Sequence, residues 1–387
     1  MRALAAAITL VFMTSGSTAM SSLFVIYINQ WGLSSADIAV VFSVYVGTLL
    51  PVLLLFGGLA ERFGRRPVTI AGILAMVLGL VLLSLAHSLP WLIVARLFQG
   101  VGVGLSVGAV TAALAESYRG KLPSGTMLQS VAAFGLFTGP VISAIAFNLG
   151  GGLNLSYVPA LVMVIGVLAL TPLLAERATT PAAAAAVEDV YSADVVARAL
   201  RLALPLAFVS WAALSLFLSL VPAYLAAALH ALNPAIGAGA ILATQIASLV
   251  ATLRLGNAAP ERSGILGAIV SIGGLAILIV GTSANIWLLV GLATVLVGAG
   301  GGVASAAAFG IAGRIGRGQR TRVFARMYVA AYAGYSLPTL AIGLIAVHAS
   351  FAVAFIAVVA VLAVMTATLP LLRERIPACA RELAPAA

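Results

Sequence analysis

Long apolar runs, separated by short polar links, repeat along the whole chain and predict its secondary structure. A transmembrane helix needs about 20 mostly apolar residues to cross roughly 30 Å of hydrocarbon. The runs reach that length and lack the short alternating pattern of membrane-barrel strands. The pattern therefore predicts twelve helices in two sets of six. The first set lies near residues 3–28, 37–58, 67–86, 91–113, 124–147 and 154–174, and the second near 202–228, 236–253, 265–283, 286–312, 327–347 and 351–371.

The composition excludes a soluble protein. The chain is 63% hydrophobic and 8% charged, with a mean hydropathy of +1.19, whereas soluble sequences are about half apolar and about a quarter charged. The single cysteine, Cys379, lies near the C-terminus, so neither a disulfide nor a metal site is expected, and no cofactor is predicted. The apolar stretch that starts with MRALAAAITLVF continues to Ile28, which favours a first helix over a cleaved signal peptide.

The basic residues test this helix map, because loops on the cytoplasmic side of a membrane collect Lys and Arg. With residue 2 inside, 19 of the 20 basic residues fall in inside segments. This parity predicts twelve helices with both termini in the cytoplasm. The net charge of +10 then reflects loops that face anionic lipid headgroups, and no nucleic-acid partner is expected.

The two sets of helices show a weak internal repeat. A shift of 196 residues aligns Trp91–Val94 with Trp287–Val290, and Val101–Gly104 with Val297–Gly300. The segment between the sets is polar and alanine-rich. We therefore expect an N-terminal bundle at 1–174, a cytoplasmic linker at 175–201, a C-terminal bundle at 202–371 and a cytoplasmic tail at 372–387. Paired bundles are a transporter architecture, with the substrate site between the halves near the membrane midplane.

Three motifs in the first half resemble those of the major facilitator superfamily. Residues 57–67 read GGLAERFGRRP and resemble the family's signature between helices 2 and 3. The matching residues are Gly57, Leu59, Arg62, Gly64, Arg65 and Arg66, and Glu61 replaces the usual aspartate. Helix 4 carries RLFQGVGVG at 96–104, which resembles the second motif. Helix 5 carries GLFTGP at 135–140, which resembles the signature of twelve-helix drug/proton antiporters, although Ser143 and Ala144 replace the usual glycine pair.

The resemblance implies an all-α membrane protein of two pseudo-symmetric six-helix bundles, with a cytoplasmic gate at the charged link. Glu61 would lie at the positive N-terminus of helix 11, near Arg326. Gly57 and Gly64 would permit a tight turn. The arginines of the link would pair with acids at neighbouring helix ends, such as Glu116. The alternative is that these arginines only enforce the membrane topology.

One basic residue, Arg96, lies inside a predicted helix, about six residues or roughly 9 Å from its outer end. A buried arginine is costly in lipid and should face a cavity or a partner. None of the ten acids lies in mid-membrane, and the nearest is Asp37, where Ser34-x-x-Asp37 resembles a capping box. Arg96 either pairs with Asp37 to hold two helices, or binds substrate anions and responds to protonation of Asp37. Its repeat counterpart, Leu292, is uncharged.

Other polar and aromatic residues inside helices are candidates for the wall of a substrate cavity. Together with Arg96 they are Gln99, Trp211, Gln245 and Tyr332. Each of them could equally hold helices together.

Glycine and proline within the helices indicate either close helix packing or a kink. The stretch VGVGLSVG in helix 4 indicates close helix packing, because a nucleotide-binding loop would need a preceding strand and a following lysine. In helix 5, Gly135, Gly139 and Pro140 predict a kink that either serves transport or only shapes the helix.

These observations predict a monomeric secondary transporter that works by alternating access on a small-molecule substrate. The helix 5 motif implies proton-gradient-driven efflux of a small drug-like molecule or metabolite. The alternative is an importer or facilitator of a small organic anion, with Arg96 as counter-charge. An intramembrane enzyme is not expected, because no acid, histidine or metal-ligand cluster lies at depth. The composition is typical of a GC-rich bacterial genome, which suggests the inner membrane.

Overall fold

A computed structural model describes residues 1–56, 59–118, 124–174, 193–228, 233–255, 259–315, 320–346 and 348–374. All regular secondary structure in these residues is helical. The twelve main segments are α1 (Arg2–Thr18 and Phe24–Trp31, joined by a 3₁₀ turn at Ser21–Leu23), α2 (Ser35–Phe56), α3 (Arg65–Ser84), α4 (Leu89–Ser117), α5 (Ser124–Ala146), α6 (Val158–Val167, continued as a 3₁₀ helix at Leu168–Leu173), α7 (Ala193–Ala228), α8 (Pro234–Leu255), α9 (Pro260–Ser283), α10 (Trp287–Ile315), α11 (Arg320–Ala346) and α12 (Phe351–Glu374).

These segments match the twelve predicted helices in order and position. Within the described ranges, ten are long and apolar enough to cross a membrane, and two shorter apolar stretches, Val40–Phe56 and Val158–Leu173, complete the set. Several helices begin earlier than predicted: α7 begins at Ala193, inside the segment predicted as linker, α9 at Pro260 and α11 at Arg320. The rest of that linker, 175–192, and the tail from 375 lie outside the described residues.

The same pattern of helix neighbours occurs in both halves. Helix α4 packs against α1, α2 and α3, and α10 packs against α7, α8 and α9. A pair of glycines brings the backbones together at each matching contact. A Cβ added to Gly72 would lie 2.7 Å from the Gly102 carbonyl oxygen, and one added to Gly267 would lie 2.6 Å from that of Gly300. Small residues permit such close approach in membrane helices.

These glycine contacts correct the repeat alignment within α4 and α10. Gly102 and Gly300 occupy equivalent places against α3 and α9, and they are 198 residues apart. The same offset pairs Arg96 with Thr294, so the counterpart Leu292 predicted from a shift of 196 was wrong. Thr294 donates its hydroxyl to the Val290 carbonyl in its own helix at 2.8 Å. The charge of Arg96 is therefore specific to the first half.

The two halves meet through α2 with α11, and through α5 with α8 and α10. On the predicted cytoplasmic side, Thr111 and Tyr328 share a hydrogen bond of 3.1 Å. On the predicted outer side, Asn148 Nδ2 donates a hydrogen bond to Asn233 Oδ1 at 3.1 Å. The halves are thus in contact towards both ends of the space between them.

In α5, the predicted kink residues form a close contact with α1. Helix α5 continues through Pro140 to Ala146. A Cβ on Gly139 would collide with the Ser15 carbonyl oxygen, and Ser22 donates a hydrogen bond to the Pro140 carbonyl at 2.9 Å. Gly135 lies against Thr14 in the same way. These residues therefore serve helix packing, and a change of direction within α5 stays a prediction.

Candidate substrate-binding site

The candidate site is built where α1 is interrupted. The first piece of α1 ends at Thr18, so the carbonyls of Gly16 and Ser17 fall in its last turn, where carbonyls lack partners within the helix. Two side chains of α4 donate hydrogen bonds to these carbonyls. Arg96 Nη1 donates to the Ser17 oxygen at 2.8 Å, and Gln99 Nε2 donates to the Gly16 oxygen at 3.0 Å. The break in α1 therefore creates a polar place for an arginine inside an apolar bundle.

Within the described part of the chain, Arg96 is held without a carboxylate. Its exposed fraction is 1%, and Nη1 also donates to Gln99 Oε1 at 2.9 Å. The guanidinium carbon lies 5.2 Å from the ring centre of Tyr45, a cation–π distance. The C-terminal end of a helix carries partial negative charge, which also favours a cation here. Among the described residues Nε has no hydrogen-bond partner, so the charge is only partly compensated.

Asp37 does not contact Arg96 in the described structure. Its Oδ2 accepts hydrogen bonds from the Ser34 hydroxyl at 2.7 Å and from the Ser34 backbone N–H at 2.8 Å, as a capping box requires. Tyr45, which touches Arg96, lies eight residues further along α2, about 12 Å at 1.5 Å per residue. The ion pair between Asp37 and Arg96, one of the two alternatives from the sequence, is therefore absent in the described structure, because the carboxylate is engaged at the helix start. Proton coupling through these residues stays a prediction.

The capping geometry predicts how Asp37 responds to pH. The Ser34 side-chain and backbone hydrogen bonds hold the pKa of Asp37 below its ordinary value of 3.8. Its stabilising effect is complete above that value and is lost as the pH falls through the lowered pKa of the folded state. We expect Asp37→Asn to cause a small loss of thermal stability at neutral pH and to leave the pH profile of transport unchanged above about pH 5. A transport profile that shifts in Asp37→Asn would instead support proton coupling through this residue.

Arg96 lies in the wall of a small cavity between the halves. The wall includes the predicted residues Trp211 and Tyr332. The other lining residues are Thr14, Ser17, Thr18, Ser21, Phe42, Tyr45, Ala132, Leu136, Leu214 and Tyr335. Trp211 meets Tyr332 edge to face, with ring centres 5.0 Å apart. The cavity thus combines one cation with a cluster of aromatic rings.

Two predicted cavity residues lie elsewhere. Gln99 is completely buried behind Arg96, where it fixes the guanidinium through Oε1. Gln245 on α8 is buried, its Nε2 has no partner among the described residues, and it lines none of the three cavities between the halves. Sequence reasoning missed Tyr45 and Gln129, because no pattern distinguishes them from other polar residues in apolar helices.

The predicted gate is described only in part. Gly64 precedes α3 with a φ of 92°, which is the left-handed region that favours glycine. Arg65 and Arg66 open α3. Gly57 and the side chains of Glu61, Arg62 and Glu116 lie outside the described residues. The gate stays a prediction.

Comparison with known proteins identifies the family. The family model of the Major Facilitator Superfamily matches residues 5–262, about two thirds of the chain. The chain belongs to the Major Facilitator Superfamily. It is therefore a multi-span membrane protein of a transporter family whose members are generally not enzymes, and the predicted twelve-helix fold is confirmed.

Curated relatives within the superfamily match over short stretches. The chain is 37% identical over 73 residues to the multidrug resistance protein MdtL of Klebsiella pneumoniae (strain 342), which is 19% of each chain. It is 37% identical over 76 residues to MdtL of Shewanella sp. (strain ANA-3), covering 20% of this chain and 19% of the relative. The chain thus spans about a fifth of the length of these relatives.

Solved structures match over nearly the whole length. A POT family transporter in complex with 5-aminolevulinic acid superposes with a TM-score of 0.73 at 12% identity, covering 97% of this chain and 96% of the other. The human organic anion transporter MFSD10 (TETRAN) superposes with a TM-score of 0.69 at 14% identity, covering 95% and 98%. At these identities the likeness concerns the fold alone.

Proposed function

We propose that this superfamily member exports a small organic molecule that carries an anionic group, and that Arg96 binds this group. The observation that carries the proposal is the partly compensated guanidinium in the cavity wall. Arg96 contacts a carbonyl, an amide oxygen and an aromatic face, and its Nε is unpaired among the described residues. A carboxylate accepts charge-assisted hydrogen bonds from a guanidinium, which are about twice as strong as neutral ones.

The distribution of acids supports an anionic rather than a cationic cargo. The acids that fall in helices lie at or near helix ends: Asp37, Glu61, Glu116, Asp194, Glu261 and Glu374. A lipophilic cation in the cavity would therefore meet Arg96 and no carboxylate at the same depth. The aromatic wall formed by Phe42, Trp211 and Tyr335 suits an apolar body attached to the anion.

The proposal includes the direction, driving force and location of transport. The resemblance of helix 5 to drug/proton antiporters and the partial likeness to MdtL proteins support proton-driven efflux. Alternating access would require the contacts on the two sides of the cavity to open in turn. The basic residues support an inner-membrane orientation with both termini in the cytoplasm. Exposed apolar side chains such as Leu266 and Val364 support contact with lipid.

Thermal stabilisation of the purified protein by a ligand panel tests this proposal. We expect aromatic carboxylates to raise the melting temperature and tetraphenylphosphonium to leave it unchanged, because a ligand at 100 times its Kd stabilises by about 2.7 kcal/mol. In proteoliposomes with an acidic lumen, the stabilising carboxylate should accumulate. Stabilisation by the cation alone would contradict the proposal, and accumulation without a proton gradient would favour a facilitator.

A further inference from the structure

Within the described residues, the space between the halves contains a row of three adjoining cavities that share two residues. Trp211 lines the Arg96 cavity and two others, a larger one beside Tyr328 and a smaller one beside Ser305. Its Nε1 donates to Ser305 Oγ at 3.1 Å, so the indole is fixed between them. Ala132 on α5 also lines all three cavities. The cavities therefore follow one another from Arg96 past Trp211 towards Leu10 and Tyr328 on the predicted cytoplasmic side.

This second region contains polar groups without partners. Gln129 on α5 lines both additional cavities, is 8% exposed, and makes no hydrogen bond within the described part of the chain. Ser248 on α8 lines the smaller cavity, is 3% exposed, and makes none within those residues either. An amide that faces a cavity is left unpaired when an apolar group fills the space beside it, which costs about 1–3 kcal/mol. These groups therefore favour a ligand that hydrogen-bonds to both.

The charge of this region limits what it binds. The side chains that line the two additional cavities are uncharged. An amide offers two donors and an acceptor, and a hydroxyl offers one donor and two acceptor lone pairs. This chemistry is complementary to a neutral carboxamide, which is itself both donor and acceptor. An ion placed there would find no opposite charge on the lining side chains.

The spacing of the two regions sets the length of the ligand. Ser17 of α1, whose carbonyl binds Arg96, lines the Arg96 cavity, and Leu10, seven residues earlier in the same helix, lines the next cavity together with Gln129. Two helical turns separate them, about 10 Å at 1.5 Å per residue. This distance is close to the length of a phenylbutanoate with a substituent in the para position.

We infer that Gln129 and Ser248 form a second substrate subsite, which binds a neutral carboxamide or similar group of the molecule whose anion lies on Arg96. The inference rests on the proposed function for the anionic end, and it adds the substrate class: an elongated aromatic monoanion with a polar, uncharged far end. Trp211, between the two subsites, packs against the aromatic body.

Three probes separate the two ends. para-Carbamoyl-phenylbutanoate has both groups, para-isopropyl-phenylbutanoate replaces the carboxamide by an apolar group of the same shape, and para-butylbenzamide lacks the anion. Apparent affinities come from thermal stabilisation of the purified full-length protein. In the wild type we expect the carbamoyl compound to bind about tenfold more tightly than the isopropyl compound, since the latter leaves Gln129 unpaired.

The variants assign this preference to residues. Gln129→Leu, which keeps the side-chain volume, should make the two anions bind equally and should abolish binding of para-butylbenzamide. Arg96→Gln should weaken both anions by a similar factor and leave para-butylbenzamide unaffected. Gln245→Leu is the matched control, because it removes another buried amide of the bundle that lines none of these cavities. It should change no affinity ratio.

Failure of the subsite and failure of the proposed function give different results. Equal binding of the two anions in the wild type, or a preference that survives in Gln129→Leu, overturns the subsite even where both anions depend on Arg96. A preference for the carboxamide that is lost in Gln129→Leu supports the subsite. If the affinity of the anions is unchanged in Arg96→Gln, the proposed function is overturned, but the support for the subsite remains. Absence of binding by all three probes to the folded wild type overturns both.

Discussion

Replacing Arg96 by glutamine is expected to lower the affinity for para-isopropyl-phenylbutanoate by about a hundredfold or more. Two hydrogen bonds to a charged group contribute about 1.5–3 kcal/mol each, and a hundredfold loss corresponds to about 2.7 kcal/mol. Glutamine retains a donor for the Ser17 carbonyl but has no charge to offer an anion. The measurement is a ligand titration of the melting temperature for the wild type and the variant.

The same substitution should change the fold little. Removing a buried charge relieves a desolvation penalty, and it also leaves an acceptor of Gln99 with a weaker partner. These effects oppose each other, so we expect the melting temperature without ligand to shift by only a few degrees. Arg254→Gln, at an exposed position in the last turn of α8, is the control and should bind like the wild type. If Arg96→Gln and the wild type bind para-isopropyl-phenylbutanoate with equal affinity, Arg96 does not bind the anion.

Replacing Gly267 by alanine is expected to lower the free energy of unfolding by about 1–3 kcal/mol. The new Cβ would lie 2.6 Å from the Gly300 carbonyl oxygen and 2.9 Å from the Ala304 nitrogen. Both atoms belong to the backbone of α10, so relief requires α9 and α10 to separate along their length. Reversible unfolding in mixed detergent micelles provides the measurement.

Gly273 in the same helix is the matched control. A Cβ added there meets nothing within 4 Å, and the residue is exposed. Because glycine in a helix interior is about 1 kcal/mol less favourable than alanine, Gly273→Ala should leave stability equal or slightly higher. The opposite signs of the two variants test close packing specifically. Equal effects would show that the α9–α10 contact tolerates a methyl group.

Much of the fold was predictable because lipid imposes a length. Each span must satisfy its backbone internally and cross the hydrocarbon, so twelve apolar runs predicted twelve helices in order. The capping box at Ser34 and Asp37 was also predictable, since its hydrogen bonds are local in sequence. Arg96 was recognisable as a candidate, because a charge inside an apolar run has few explanations.

The surroundings of Arg96 required the tertiary structure. In a soluble helix the polar face indicates which side is exposed, but helices in lipid are apolar on all sides, and this signal is lost. Nothing in the sequence paired Arg96 with the Ser17 carbonyl, because a break in α1 created that acceptor. For the same reason the sequence did not reveal that the glycines of α5, predicted to form a kink, also form a contact with α1. In the sequence, Gln129 cannot be distinguished from other glutamines in apolar helices. Only the packing of the helices places it beside a cavity, where it has no hydrogen-bond partner among the described residues.

Local chemistry and membrane thickness thus determine the number, order and ends of the helices, and they single out a charge buried at depth. The partners of that charge, the offset of the internal repeat and the second polar subsite depend on residues that are distant in sequence. Their meeting depends on which faces of uniformly apolar helices pack together, and small residues such as Gly72 and Gly102 control that choice through their size.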